Sequence, residues 1–141
     1  MPRNALLDAS ALVALILQEK GWRIVDAVVE TRMALTTPNA LAETFEICRR
    51  KNTGISQDEI LQLLNLKYVQ VVSLIEEDAV EAGYIYKKAA DHNSISQEQI
   101  SISLADVTLL AVGKRLGAVV VFSDHSWELI DLPGIEIRSF R

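Results

Sequence analysis

Residues 104–124 have the sequence LADVTLLAVGKRLGAVVVFSD, in which a helical pattern is followed directly by a strand pattern. Apolar residues cover nearly the whole circumference of the helix predicted at Ser103–Leu116, so we expect this helix to be largely buried and to end at Gly117. The apolar run Ala118–Phe122 is short and continuous, as in a strand that is buried on both faces. A buried helix that leads into a buried strand is typical of a parallel α/β sheet.

Four further segments carry strand patterns. Apolar runs predict buried strands at Ala5–Leu7 and Val69–Ile75, and weaker patterns predict strands at Leu35–Thr37 and Ile135–Ile137. The sequence contains no internal repeat and no Gly/Pro-rich linker, so a single domain over residues 1–141 is expected.

The segments between these strands have helical patterns. Thr37-Pro38 combines a hydroxyl cap with a proline at the first helical position, and Ser56-Gln57-Asp58-Glu59 is a capping box. The remaining segment Asp91–Ser101 is predicted to be a polar connection. The predicted helices are Ser10–Glu19, Gly21–Met33, Thr37–Lys51, Ser56–Leu66, Glu76–Ala90 and Ser103–Leu116.

The composition disfavours several classes of protein. Fourteen Lys and Arg against nineteen Asp and Glu give a net charge of -5, whereas a general clamp on the nucleic-acid backbone is usually basic. Cys48 is the one cysteine and cannot form an internal disulfide, which fits a reducing compartment. No apolar run approaches the roughly 18 residues of a membrane span, and Asp8 and Ser10 interrupt the apolar stretch Ala5–Leu17. We therefore expect a soluble cytoplasmic protein without a membrane partner.

Two of the predicted strands end in an aspartate. Asp8 follows Ala5–Leu7, and Ser123-Asp124 follow Phe122. Ligands of parallel α/β sheets bind beyond the carboxyl ends of the strands, so both acids are expected at the same edge of the sheet. Aspartate is also a common turn and cap residue, and that interpretation explains either acid alone equally well.

Asp106 lies on the one polar stripe of the helix Ser103–Leu116, together with Gly113. A carboxylate on a buried helix is costly unless it is paired or bound to a metal, which favours a functional role. The alternative is that Asp106 caps the backbone of Ser103 from the third helical position.

Glu43 has no support from its helical pattern. The apolar stripe of its helix contains Leu41, Phe45 and Cys48, and Glu43 lies nearly opposite, beside Glu46. The pattern alone predicts a solvated side chain rather than a ligand.

Four short motifs follow one another along the chain: LLDAS at 6–10, LAE at 41–43, LAD at 104–106 with Ala111 and Gly117, and VFSD at 121–124 with Trp127. In this order and spacing they resemble the PIN domain, and more narrowly the VapC-type ribonuclease toxins of bacterial and archaeal toxin–antitoxin pairs. The resemblance spans essentially the whole chain.

The resemblance implies a three-layer α/β/α domain with a five-stranded parallel sheet and an acidic pocket that binds Mg²⁺ or Mn²⁺. By motif position, the metal-binding and catalytic acids are Asp8, Glu43, Asp106 and Asp124. Four carboxylates in one pocket repel one another, and a hard divalent cation relieves this repulsion. Such a cation would polarise a phosphodiester and lower the pKa of a bound water, which is the chemistry of a nuclease.

Two positions depart from the family pattern. Phe122 stands where the family has Thr or Ser two residues before the last aspartate, and Ala9 replaces a usual Thr. Ser123 is the candidate to supply the missing hydroxyl to the substrate. Ser10 matches the family and is a candidate donor to a substrate phosphate or to Asp8, and an N-cap role in the first helix is equally compatible.

The function that the resemblance implies is that of a metal-dependent ribonuclease toxin. The alternative is a catalytically inactive PIN-like domain that acts as an antitoxin- or RNA-binding module, and Phe122 is its main support. A phosphoacceptor receiver domain is disfavoured because Asp8 has no paired acid after the first strand. A Rossmann nucleotide site is disfavoured because no G-x-G-x-x-G occurs.

The resemblance also implies a homodimer and a cognate antitoxin that often places a basic side chain in the acidic pocket. The helices Ser10–Glu19 and Gly21–Met33 carry more apolar surface than one sheet face needs, which favours a groove for an antitoxin helix. Trp22 is either an anchor of that groove or an ordinary core residue.

Positive charge for an RNA substrate is present only in short groups, each of which falls in the last turn of a predicted helix. A cation there is favoured by the helix dipole, and we prefer this interpretation to RNA contact for any one group. His125 is likewise expected to be an ordinary surface residue. The groups are Arg49-Arg50-Lys51, Lys87-Lys88 and Lys114-Arg115.

Overall fold

A five-stranded parallel sheet forms the centre of the computed structural model, which describes residues 3–141. The strand order is β3-β2-β1-β4-β5, and every neighbouring pair is parallel. This arrangement confirms the predicted fold class. The strands are β1 (Ala5–Leu7), β2 (Ala34–Thr36), β3 (Gln70–Val71), β4 (Val119–Phe122) and β5 (Glu136–Ser139).

Six α-helices cover the two faces of the sheet. They are α1 (Ala9–Leu17), α2 (Trp22–Thr31), α3 (Pro38–Arg50), α4 (Gln57–Leu66), α5 (Glu76–Ile95) and α6 (Leu104–Leu116), and a short 3₁₀ helix spans His125–Leu129. None of the helices within residues 3–141 is long and apolar enough to span a membrane.

The strand side chains alternate between two apolar cores, one on each face of the sheet. Ala5, Leu7 and Val121 belong to the core that contains α1, α2 and α4. Leu6 and Val120 belong to the core that contains α5 and α6. Since successive side chains of a strand point to opposite faces, these fully apolar strands require helices on both sides, which gives the three-layer architecture.

The predicted helix signals act as expected. The Thr37 hydroxyl accepts a hydrogen bond from the backbone N of Ala40 and caps α3, and Ser56 caps α4 in the same way through Glu59. Gly117 ends α6 in the left-handed conformation, with φ of 61°.

The close packing of α6 on β4 depends on a glycine. A Cβ atom at Gly113 would lie 2.7 Å from Cγ2 of Val120, closer than van der Waals contact allows. The stripe that Gly113 shares with Asp106 therefore faces the sheet.

Two predicted elements differ from the structure. The strand expected at Val69–Ile75 pairs only at Gln70–Val71, and both residues are exposed, because β3 is an edge strand at which the ladder ends after Val72 donates to Thr36. The polar connection predicted at Asp91–Ser101 is helical as far as Ile95.

The extension of α5 has local causes. Lys87 pairs with Asp91 one turn later at 2.8 Å, and the Asn93 side chain bonds both the N and the O of Ile100. These contacts fix the last turn and the loop after it, although the sequence there is polar.

Candidate functional site

Asp8 and Asp124, two acids of the candidate site, lie at the point where the order of strands in the sheet reverses. β1 and β4 are neighbours at the centre of the sheet, and the chain proceeds from β1 toward β3 in one direction and from β4 toward β5 in the other. Asp8 follows β1 directly, and Ser123 and Asp124 follow β4. Crevices at such switch points, beyond the carboxyl ends of the strands, are where ligands of open α/β sheets bind.

Asp8 is a buried carboxylate, with only 5% of its surface exposed. It caps α1, and its Oδ1 accepts hydrogen bonds of 2.7 Å from the backbone N of Ala11 and 2.7 Å from Oγ of Ser10. The pKa of Asp8 is raised from 3.8 to about 7: burial is the largest cause, the two hydrogen bonds oppose it, and the charges of Asp106 and Glu43 add to the rise. Near neutral pH this carboxyl is therefore partly protonated in the absence of a cation.

Ser10 does not cap α1, because Asp8 occupies the N-cap position. The Ser10 hydroxyl instead donates to Asp8, which is one of the two roles predicted for it. Ser10 in turn accepts a hydrogen bond of 2.9 Å from the Oγ of Ser123.

Phe122 is a core residue with no exposed surface. Its ring stacks on Trp127 with the centroids 5.1 Å apart and the planes 6° apart. Because strand side chains alternate, Phe122 points into the α5–α6 core and Ser123 follows on the other side, toward Ser10. The hydroxyl group in this part of the crevice thus comes from Ser123.

Asp106 is partly buried and caps the start of α6, as the structural alternative predicted, whereas its functional role stays a prediction. It forms a reciprocal cap with Ser103, in which the Ser103 N donates to Oδ2 at 2.8 Å and the Asp106 N donates to the Ser103 Oγ at 3.2 Å. Burial raises its pKa, the bonds to Ser103 lower it, and the charge of Asp124 raises it. Because α6 leads directly into β4, it runs antiparallel to the strands, and Asp106 in its first turn lies at the carboxyl edge of the sheet.

Glu43 is half-buried, and therefore more enclosed than its helical pattern predicts. Its Oε2 is buried and has no hydrogen-bond partner within residues 3–141. Burial raises its pKa, the charge of Asp106 raises it further, and Arg50 lowers it. The cause is long-range, because α3 packs against both α1 and α6.

Asp124 lies at the exposed rim of the crevice. It caps the 3₁₀ helix, and its Oδ1 accepts a hydrogen bond of 2.9 Å from the backbone N of Ser126. Its charge acts on Asp106.

The four acids are connected electrostatically but do not form a tight cluster. Asp8, Glu43 and Asp106 influence one another electrostatically, and Asp124 influences Asp106. In the described part of the chain, however, no three His, Cys, Asp or Glu side chains are close enough together to hold a metal ion. The donors are all carboxylate oxygens, which suit a hard divalent cation, and the buried Oε2 of Glu43 lacks any other partner.

Two residues beside the acids, Tyr86 and Asn39, were not predicted from the sequence. The pKa of Tyr86 on α5 is raised by partial burial and by the charge of Asp106, which places this phenol beside the crevice. Asn39 lies one helical turn before Glu43, and its Nδ2 donates to Oγ1 of Thr108 at 3.3 Å, joining α3 to α6. The four-residue spacing to Glu43 is a signal that points to Asn39, whereas the sequence around Tyr86 contains none.

Most of the predicted basic groups are engaged in structural contacts. Arg115 forms a bidentate pair with Asp78 at 2.9 and 3.0 Å, and Lys114 pairs with Glu81 at 3.1 Å. His125 is exposed and hydrogen-bonds the carbonyl of Arg141.

The remaining basic groups also contact other residues of the chain. Arg49 pairs with Glu46, and Lys51 pairs with Glu19 at 2.6 Å. Lys88 donates to the carbonyl oxygen of Asp131 at 2.9 Å. The contacts agree with a structural role for these groups. The predicted last-turn position is wrong for Lys87-Lys88, however, because α5 continues to Ile95 and only His92 is a basic residue of its last turn.

The PIN domain family matches this chain over residues 5–132. No curated protein matches it. The match covers every element from β1 to the end of the 3₁₀ helix, including all four acids of the crevice.

Solved structures of toxin–antitoxin proteins have a similar fold. A chain of VapBC2 from Rickettsia felis, bound to a DNA fragment of its promoter, has a TM-score of 0.67 at 10% identity, with 96% of this chain and 98% of that chain covered. A chain of DNA-bound VapBC from Salmonella typhimurium has a TM-score of 0.66 at 16% identity, and both chains are fully covered. VapC20 of Mycobacterium tuberculosis, a toxin that cleaves the sarcin–ricin loop, has a TM-score of 0.63 at 15% identity, with 89% and 94% covered.

Proposed function

Because the chain belongs to the PIN domain family, we propose that it is a metal-dependent endoribonuclease, the toxin of a toxin–antitoxin pair. It would hydrolyse RNA phosphodiesters at the crevice formed by Asp8, Glu43, Asp106 and Asp124, with Mg²⁺ or Mn²⁺ as cofactor. The buried, unpartnered Oε2 of Glu43 is the observation that supports this proposal most directly. A buried carboxylate oxygen without a hydrogen bond is costly, and a cation would compensate that cost.

Asp8, Glu43 and Asp106 are the proposed metal ligands, and Asp124 would complete the site directly or through water. Because no three of these side chains are close enough together in the described structure to hold a cation, binding would require them to move closer or to use bridging water. A bound Mg²⁺ or Mn²⁺ supplies a Lewis acid for the phosphodiester and lowers the pKa of an attached water.

Serine side chains fix the positions of two of the acids. Ser10 and Ser123 hold Asp8 in place through their hydrogen bonds, and the Ser103 cap fixes Asp106. Asp124 is exposed to solvent at the rim, where it or Glu43 would orient the attacking water.

The alternative function, an inactive binding module, has less support than the sequence suggested. That alternative rested on the loss of a hydroxyl group at position 122, where the chain has Phe122. The next residue, Ser123, has a hydroxyl group that donates a hydrogen bond to Ser10. All four acids are present, and three of them have raised pKa values, as expected of a functional site rather than of solvated residues.

We propose an antitoxin as the protein partner. The similar folds of VapBC chains support this partner, which would place a basic side chain among the four acids. Trp22 on α2 is partly buried against the core, with the Arg23 guanidinium 5.4 Å from its ring centroid. It would border an antitoxin groove on α2 alone, because the apolar residues 11–15 of α1 are buried in the core and leave no surplus apolar surface there.

A homodimer and a cytoplasmic location complete the proposal. Apolar side chains are exposed at α4 and the edge strand β3, where Leu66 is 75% and Tyr68 is 84% exposed, and such a patch favours association. Sedimentation velocity at micromolar concentration is expected to show a dimer, and a strict monomer would remove this part of the proposal.

The proposed activity is tested by Asp106→Asn. Asparagine retains an oxygen that can accept the hydrogen bond from Ser103, so the fold is expected to persist. Cleavage of RNA in Mg²⁺ or Mn²⁺ is expected to be abolished. The matched control is Asp131→Asn, at an exposed position outside the crevice, which should cleave normally. Full activity of folded Asp106→Asn would refute the site assignment.

Metal binding has a readout that does not depend on activity. A cation that binds only the folded state stabilises it by about 2.7 kcal/mol at a hundred times its Kd. Mn²⁺ is therefore expected to raise the Tm of the wild type relative to EDTA, and not that of Glu43→Gln. Glu76→Gln, an exposed change on α5, should respond like the wild type. An equal response of Glu43→Gln would show that Glu43 is not a ligand.

A further inference from the structure

A small apolar cavity of about 160 Å³ lies between α2 and β5, outside the acidic crevice. This volume is similar to that of cavities that accept a benzene-sized group. Its apolar lining consists of Ala5, Ile24, Val28, Val119, Val121 and Phe140.

The strand register explains why this space is not filled. Val119 pairs with Glu136 and Val121 pairs with Arg138, so β5 presents two charged side chains on the face where β4 presents valines. No apolar side chain from β5 covers Val119 and Val121, and α2 leaves Ile24 with 55% of its surface exposed.

The rim of the cavity is basic, although the chain carries a net charge of -5. Arg138 and Arg3 both pair with the single carboxylate of Glu136, the former at 3.0 Å. Arg32 lines the cavity and donates to the backbone carbonyl of Arg3 at 3.0 Å. Two guanidinium groups thus share one carboxylate and the third, of Arg32, has only a backbone carbonyl as partner, which leaves a local excess of positive charge.

The strand beside the cavity has an open edge. β5 is the last strand of the sheet and pairs only with β4. An extended peptide can add to such an edge through backbone hydrogen bonds, while pockets for its alternate side chains give specificity.

We propose that this surface, the α2–β5 groove, binds an acidic peptide segment of a protein partner. The segment would lie along β5, insert one apolar side chain into the cavity and place its carboxylates against Arg32 and Arg138. The positive charge of the rim favours an anionic partner, and the aliphatic cavity favours a peptide over RNA. Single-stranded RNA is bound mainly by exposed aromatic platforms, whereas Phe140, the one aromatic side chain of the lining, is only 2% exposed.

The test uses a short blocked peptide in which one leucine is flanked by aspartates, titrated into methyl-labelled full-length protein and followed by NMR. Saturable shifts are expected at the methyl groups of Ile24, Val28 and Val119. Replacing the leucine by alanine should weaken binding roughly tenfold, because an aliphatic side chain is no longer buried. Replacing the aspartates by lysines should abolish binding.

Two variants and a matched control locate the site. Ile24→Glu and Arg138→Glu are expected to weaken binding of the aspartate peptide at least roughly tenfold, by blocking the cavity and reversing the rim charge. Val80→Glu replaces a side chain that is also 55% exposed, but on α5, and should bind normally. All three variants should retain any ribonuclease activity, so this test is independent of the proposed function.

Three results would overturn the proposal. They are the absence of saturable shifts with the aspartate peptide, unchanged binding by Ile24→Glu, and shifts of the same methyl groups by oligouridylate but not by the peptide. The last result would identify the groove as an RNA surface.

Discussion

The Oγ of Ser123 donates a hydrogen bond of 2.9 Å to the Oγ of Ser10, which is 113 residues away in the sequence. Ser10 in turn donates to Oδ1 of Asp8 at 2.7 Å. The end of β4 is thereby joined to the first turn of α1, and the chain of hydrogen bonds ends on the carboxylate that caps this helix. Because hydrogen bonds to the charged form favour it, this chain opposes the effect of burial on the pKa of Asp8.

The two serines are expected to contribute unequally to ribonuclease activity. Ser10→Ala removes a hydrogen bond to a carboxylate, worth about 1.5–3 kcal/mol, and should lower the cleavage rate roughly ten- to a hundredfold. Ser123→Ala removes a hydrogen bond between hydroxyls, worth about 0.5–1.5 kcal/mol, and should lower it roughly two- to tenfold. Initial rates of RNA cleavage at fixed Mn²⁺ measure both effects.

Ser126→Ala is the matched control, since the Ser126 Oγ is buried nearby and has no hydrogen-bond partner in the described chain. This variant should cleave like the wild type. If Ser123→Ala proved as damaging as Ser10→Ala, Ser123 would have to contact the substrate directly.

Asp8 is expected to make the metal-free protein less stable as the pH rises. Its folded-state pKa of about 7 lies above its ordinary value of 3.8, because burial disfavours the carboxylate. The folded state therefore binds more protons than the unfolded state between these values, and the free energy of unfolding falls as the pH rises through them. Asp8→Asn should remove this contribution, which is on the order of a few kcal/mol.

The measurement is thermal unfolding of both proteins in EDTA at pH values of roughly 5 and 8, on either side of the pKa. Asparagine is also a good N-cap, so the variant should fold and should lose less Tm between the two pH values. Asp58→Asn, an exposed change in α4, should behave like the wild type. A Tm loss in Asp8→Asn as large as in the wild type would contradict the raised pKa.

The sequence was sufficient to predict the elements whose determinants are local. Apolar runs located β1 and β4, and cap residues such as Thr37 and Ser56 located helix starts. The strand at Val69–Ile75 was predicted too long, because its apolar residues pack at the end of the sheet without pairing. Whether a strand lies at the edge depends on the order of all strands in the sheet, so a local apolar pattern cannot predict it.

The residues of the candidate site also differ in whether local sequence or long-range packing determines their position. Asp8 and Asp124 could be predicted from strand ends, and Asp106 from the burial of its helix. Glu43 could not be predicted from its helix alone, because its enclosure arises where α6 packs against α3. Tyr86 was missed for a similar reason, since only the packing of α5 on α6 brings it near Asp106.

Alanine substitutions at two helical glycines are expected to change the stability of the fold in opposite directions, because only Gly113 packs closely against a strand. Gly113→Ala places a Cβ 2.7 Å from Val120 and should destabilise the fold by about 1–3 kcal/mol through overpacking. Gly83→Ala is the matched control, since a Cβ there meets nothing within 4 Å. It lies within α5, where alanine should stabilise by about 0.5–1 kcal/mol. Urea unfolding measures both changes, and a neutral Gly113→Ala would contradict the close approach.

RNA binding is expected to depend weakly on salt and strongly on metal. Cations such as Arg115 and Lys114 are already paired with carboxylates, so few remain for phosphates. Each neutralised phosphate contributes a slope of about -0.7 for single strands, and two or three contacts therefore predict a slope of roughly -1.4 to -2.1. In EDTA the affinity should collapse, because the acids of the crevice would then face the phosphates without a cation. The measurement is RNA binding by Asp124→Asn, in which loss of a proposed catalytic acid is expected to prevent cleavage, across a salt series with Mn²⁺ or with EDTA. A steep slope that EDTA leaves unchanged would place the RNA on a basic surface outside the crevice.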